Sequence, residues 1–188
     1  MYHYSKACHF KEIMDSGVIK RAMAGVPKSE KPAVWLTLND EWEGTALKLD
    51  CMEPRHRNIF LPIRFKLKDE LIDNGQVKFV SFEEHKKSGG MDLVYAKALS
   101  DSALEMGSNS DDWFCCYDDI PIDNFNEPEV WDGSAWVSID HMNGILAESR
   151  KFVSDVKRLD RAKQNAIAAQ KKAKRKAAHK AKAKNRKK

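Results

Sequence analysis

The stretch Glu129-Val130-Trp131-Asp132-Gly133-Ser134-Ala135-Trp136-Val137-Ser138-Ile139 reads as a β-hairpin. Asp132-Gly133 is a turn dipeptide, and it lies between two short runs of aromatic and β-branched residues. Upstream, Ala33-Val34-Trp35-Leu36-Thr37 is a compact strand, Ile59 to Leu67 a second, and Tyr2-His3-Tyr4 a third. Pro62 has no N–H for a ladder, which predicts an edge strand or a bulge at that point. Val18-Ile19 and Val77 to Phe82 predict further extended pieces, and Trp113-Phe114 opens another strand or loop between Asp111 and Asp119.

Helical spacing fills the intervals. Ser5 is positioned to cap a helix over Lys6 to Ser16, with Phe10, Ile13 and Met14 inward and Gly17 as the left-handed stop. Glu41 to Leu47 and Glu83 to Lys87 predict short helices. Asp92 to Met106 predicts a longer one, with Leu93, Ala96, Leu99, Ala103 and Met106 on one face and Gly107 ending it. Residues 22–32, with Gly25, Pro27 and Pro32, read as a loop. Strands outside, helices between and a late hairpin give an α+β class: one small mixed-sheet domain over residues 1–140. Ile145, Leu146, Phe152, Val153, Val156 and Leu159 keep helix spacing and predict a helix over 141–160 that packs on the domain.

The charge is divided between two regions. Arg161 to Lys188 holds thirteen Lys and Arg and no Asp or Glu, so the rest of the chain carries a net −8 within a total of +5. A run of like charge this dense repels itself and seeks a polyanion. DNA or RNA is therefore the expected partner of this tail, through Lys171, Lys172, Lys174, Arg175, Lys176, Lys180, Lys182, Lys184 and Arg186. No aromatic residue is interleaved with these cations, which argues against base stacking and sequence-specific readout. Beyond Ile167 there is no large apolar residue, so the tail is expected as frayed helix or disorder that gains helix on phosphate. A solvated solubility tail is the competing reading. A membrane anchor lacks its apolar face.

No stretch of about 18 apolar residues is present, and the N-terminus lacks a basic region followed by an apolar run. The expected location is the cytoplasm, of a bacterial host cell if the protein is phage-encoded. Cys8, Cys51, Cys115 and Cys116 include no CxxC pair, so reduced thiols and no metal site are expected. Asp111-Asp112 and Asp118-Asp119 match no calcium loop and read as solvated acids. The absence of a P-loop, a GxGxxG and a GxSxG removes the common nucleotide-binding and hydrolase classes.

The order Tyr2-His3-Tyr4-Ser5, helix, Ser16-Gly17-Val18-Ile19, Lys31-Pro32-Ala33-Val34-Trp35-Leu36-Thr37 resembles the opening of the ADP-ribosyltransferase fold. That superfamily includes diphtheria-toxin-type transferases, DNA-modifying toxins and RNA 2′-phosphotransferases, which use NAD. With Asp40-Glu41-Trp42-Glu43 and the late hairpin, the chain more closely resembles a group of small bacterial and phage proteins, over roughly residues 2–139. The resemblance implies NAD as cofactor. It places a ribose-binding role on His3, nicotinamide stacking on Trp35, an orienting role on Thr37 and the catalytic carboxylate on Glu129, with Glu127 beside it. The chain departs from the family pattern in having no Ser-Thr-Ser triplet and no Glu-x-x-Glu loop, and in Pro128 between the two glutamates.

Arg64 is a bidentate donor suited to a pyrophosphate. Each assignment has a plainer alternative: His3 as a sheet-end residue, Trp35 as core, Glu129 as an exposed strand carboxylate, Arg64 as the partner of an acid. Arg55-His56-Arg57 is a phosphate contact or a solvated loop. Three functions follow: an NAD-dependent transferase acting on a nucleic acid or on a protein bound to one, a non-catalytic nucleic-acid-binding protein, and, last, RNA 2′-phosphotransferase chemistry.

Overall fold

The first strand in sequence lies inside the main sheet rather than at its edge. The structure, a computed structural model, describes residues 1–47, 61–132 and 134–142, which belong to one compact unit, Met1–Ser149. In chain order its first elements are β1 (Tyr2–Lys6), α1 (Ala7–Ser16), β2 (Val18–Ile19), β3 (Val34–Thr37), α2 (Gly44–Leu47), β4 (Pro62–Lys66) and α3 (Asp69–Asp73). There follow β5 (Val80–Ser81), α4 (Phe82–Ser88), α5 (Leu93–Glu105), β6 (Trp113–Cys116), β7 (Ile120–Pro121), β8 (Glu129–Trp131) and β9 (Trp136–Ser138). The seven-stranded sheet has the order β5-β6-β3-β1-β4-β8-β9, and β2 and β7 form a separate ribbon. Every named strand pair is antiparallel. The fold is thus mixed α and β around a mostly antiparallel sheet with five α-helices among the described residues. The second unit, Arg150–Lys188, lies outside those residues. So do Cys51, the Arg55-His56-Arg57 loop, Gly133, the helix expected beyond residue 142 and the Lys/Arg-rich tail.

Side chains alternate along each strand, so directly paired residues share a face. On one face Val34, Leu36, Ile63, Phe65, Cys116 and Val130 join Ala7 of α1, Ile19, Ile120 and Phe125 in the larger core, with Phe10 and Ile13 packed against it. On the other, Trp113 joins Phe82, Met91, Ala96 and Ala103 of the α4–α5 layer in a second core, with Trp35 and Leu99 at its margin.

Several sequence expectations need correction. Ser5 does not cap α1; it pairs with Ile63 in β1, and the Ala7 N–H that a cap would satisfy bonds instead to the Leu61 carbonyl at 2.7 Å. Pro62 marks neither an edge nor a bulge. It opens β4, a strand paired on both sides, where the missing N–H falls at the end of the ladder opposite Lys6. Met14 and Leu93 do not face inward, being 42% and 68% exposed. The buried stripe of α1 is narrow, and that of α5 begins one turn later, at Ala96. Gly17, by contrast, adopts φ 68° and returns its N–H to the Ile13 and Met14 carbonyls.

The late hairpin forms with Glu129 opposite Ser138, Val130 opposite Val137 and Trp131 opposite Trp136. Its turn is organised by a side chain. The Asp132 carboxylate accepts the Ser134 and Ala135 N–H groups at 2.7 and 2.8 Å and the Ser134 hydroxyl at 2.9 Å. These bonds hold its pKa below the ordinary aspartate value.

Candidate functional site

β1 meets β4 at five residue pairs but β3 at only one, Tyr2 opposite Thr37. Where the β1–β3 ladder lapses, the His3 ring supplies the missing contact. Its Nδ1–H donates to the Trp35 carbonyl at 2.9 Å, which leaves Nε2 as the unprotonated nitrogen of the neutral ring. Burial pushes the His3 pKa below the usual histidine value, and the carbonyl opposes that in part. Beside this lapse a cleft of about 390 Å³ is lined by β1, β3, the 22–30 loop, α2 and α5. His3, Trp35 and Thr37 all line it, so three of the sequence-assigned residues converge. The size is that of small-molecule sites, about 300–1,000 Å³.

The walls are aromatic. Trp35 and Trp113 meet edge-on, centroids 6.4 Å apart, and Tyr95 of α5 stands at the rim, 55% exposed. Thr37 is buried, and its hydroxyl oxygen accepts the Asn39 N–H at 3.1 Å. Asn39 in turn accepts the N–H groups of Glu41 and Trp42, folding the chain sharply after β3.

That fold delivers Glu43, which the sequence reading did not single out. Its side chain is 4% exposed yet lines the cleft. One carboxylate oxygen accepts the Trp113 indole N–H at 2.9 Å; the other accepts the Thr45 hydroxyl at 2.6 Å and the Thr45 N–H at 3.3 Å. The next residue fixes its position. A Cβ on Gly44 would sit 2.5 Å from Met106 Cβ, and the Gly44 N–H bonds to the Ser108 hydroxyl at 3.0 Å. Glu30, on the 22–30 loop side, is a second buried cleft carboxylate. It faces His85 Nε2 at 3.4 Å, and His85 Nδ1 meets the Tyr117 hydroxyl at 3.0 Å. No signal in the sequence separates Glu43 from its neighbours Asp40 and Glu41; only the turn at Asn39 and the absent side chain of Gly44 do.

Arg64 and Glu129 sit next to this cleft without lining it. They are cross-strand partners, and Arg64 Nε donates to Glu129 at 2.6 Å. Arg64 also bonds to the Asp40 carbonyl. Its guanidinium lies over Trp136 at 4.5 Å and Tyr2 at 5.0 Å. Burial weakens the Arg64 charge, but Glu129 and the Tyr4 hydroxyl outweigh it and raise the pKa. Tyr2 and Tyr4 line the cleft and reach this pair, so Trp35, Thr37, Arg64 and Glu129 share one sheet face, whereas His3 pairs with Phe65 on the other. Glu127 accepts from Ser138 at 3.0 Å. Beyond the pair, Trp42, Trp131 and Trp136 form a triangle of indoles 5.4–6.0 Å apart.

Cys115 and Cys116 are free and buried, and burial raises both thiol pKa values, which suits inert core residues. Asp119 is tied to Arg21 at 2.9 Å. Among the described residues no cluster of His, Cys, Asp and Glu is arranged to hold a metal ion, and no helix is long and apolar enough to cross a membrane. No family model matches the chain, and no curated protein or solved structure matches it either.

Proposed function

We propose that this protein is an ADP-ribosyltransferase-like enzyme that holds the nicotinamide end of NAD in the β1–β3 cleft and acts at a nucleic acid, or on a protein bound to one. The observation that carries the reading is the convergence of His3, Trp35 and Thr37 on a single aromatic-walled cleft. In this reading Trp35 stacks on the nicotinamide ring, and the ribose runs toward Tyr2 and the Arg64–Glu129 pair. Breaking the nicotinamide–ribose bond builds positive charge on the ribose, and a carboxylate facing it stabilises that charge. Glu129 takes that role, released from Arg64 when the pyrophosphate claims the guanidinium. The Lys/Arg-rich tail raises the local concentration of the polymer.

The test is a melting curve with NAD, together with nicotinamide release in the presence of DNA or RNA. NAD is expected to raise the Tm, and Glu129→Gln to keep the fold while abolishing release. No Tm shift with millimolar NAD and no release would remove the transferase reading. One observation favours a second reading, a non-catalytic nucleic-acid-binding protein: the Glu129 carboxylate is already held by Arg64. Salt-sensitive binding of DNA or RNA that disappears on deleting residues 161–188, with no effect of NAD, supports that reading instead.

A further inference from the structure

The electrostatics of the cleft single out the charge of its ligand. Two buried carboxylates, Glu30 and Glu43, line it, and among the described residues that do so there is no lysine or arginine. The one basic side chain is His3, whose pKa is lowered by burial and whose ring is held through its Nδ1–H. Glu30 has His85 as its partner. Glu43 faces only neutral donors, the Trp113 indole, the Thr45 hydroxyl and the Thr45 N–H, all of which run into the carboxylate. A carboxylate accepts about four hydrogen bonds, so acceptor capacity remains after these three. A buried anion without a countercharge is costly. Here that anion meets the N–H edge of Trp113, and the half-buried Trp35 lines the same cleft, where an indole face attracts positive charge as well. Carboxylate and aromatic walls therefore ask for the same occupant.

We infer that the cleft is selective for a flat organic cation, a ring of the N-substituted pyridinium class, and that Glu43 is the residue that reads its charge. A phosphate or carboxylate ligand is disfavoured there. If NAD binds, its positively charged ring occupies this end while its phosphates lie outside, toward Arg64. The inference depends on the cleft and not on any bond being broken, so it survives loss of the transfer reading.

The experiment compares two small rings of one shape on the full-length protein: 1-methylnicotinamide, a cation, and 3-methylbenzamide, its neutral isostere. Binding is followed by the indole N–H resonances in NMR titrations. The cation is expected to bind at least about tenfold more tightly and to move the Trp113 indole resonance. Glu43→Gln is expected to bring the two affinities together. Equal affinity of the wild-type protein for both rings, tighter binding of the neutral ring, or a Glu43→Gln protein that keeps the preference overturns the inference. The wild-type comparison decides the matter should that variant fail to fold. A protein that separates the two rings but leaves NAD intact loses only the transfer reading. One that releases nicotinamide while binding both rings equally loses only the charge selection.

Discussion

On the face of the sheet covered by α1, Val34, Leu36, Ile63, Phe65, Cys116 and Val130 form a dry layer. On the opposite face the same strands carry Tyr2, Tyr4, Trp35, Thr37, Arg64 and Glu129. One strand set thus serves two purposes, separated only by the two-residue period of the backbone. The α1 face is mostly apolar, with His3 and Ser5 of β1 as polar side chains on it, and it supplies stability. The other face spends its positions on hydrogen-bonding and aromatic groups, with no buried polar side-chain atom left unpartnered among the described residues. Such a face is harder to stabilise than a hydrocarbon layer, and it ends in an open cleft. The contrast puts the proposed ring-binding cleft on the polar, aromatic side.

The largest expected effect tests that contrast directly. Phe65→Ala, on the α1 face at 0% exposure, is expected to cost about 3–5 kcal/mol in urea unfolding. Trp35→Ala, half-buried on the other face, is expected to cost about 2 kcal/mol and to remove ring binding altogether. If Trp35→Ala proved the more destabilising of the two, the division of labour between faces would be wrong. The next effect concerns the polar face alone. Arg64→Met leaves Glu129 without its donor and removes the guanidinium from Trp136, at an expected cost of about 1–3 kcal/mol. Adding Glu129→Gln is expected to return part of that loss, and the double-mutant cycle gives the coupling. Strict additivity would show that the pair contributes no coupling energy to the fold.

Much of this division was legible in the strands themselves. Val34-Trp35-Leu36-Thr37 alternates aliphatic and functional residues, and the hairpin was readable from Asp132 and its flanking aromatics. What was not legible depends on partners distant in sequence. Ser5 looks like a cap until Ile63 and Leu61 claim the segment. Pro62 looks like an edge residue until β8 pairs with β4 beyond it. The cleft was legible as three residues, His3, Trp35 and Thr37, but not as a charge. Glu43 acquires its surroundings from Trp113 and Met106, some seventy and sixty residues away. No local pattern marks one acid in Asp40-Glu41-Trp42-Glu43 as the buried one.

The smallest expected effect is a pH dependence, and it probes the seam between β1 and β3. The folded-state pKa of His3 is lowered by burial, so the unfolded chain takes up the proton first as pH falls. Stability therefore declines as pH drops from the ordinary histidine value of about 6.5 toward the lowered folded value, and is unaffected by His3 above that range. His3→Gln retains a donor for the Trp35 carbonyl but does not titrate. Unfolding curves at pH 7.5 and 5.0 are expected to differ less for His3→Gln than for the wild-type protein, with the two proteins closest at the higher pH. An equal loss in both would mean that protonation of His3 does not load the β1–β3 seam. The cleft would then be held open by Thr37 and the Asn39 turn alone, because these carry the other contacts at that end of β3.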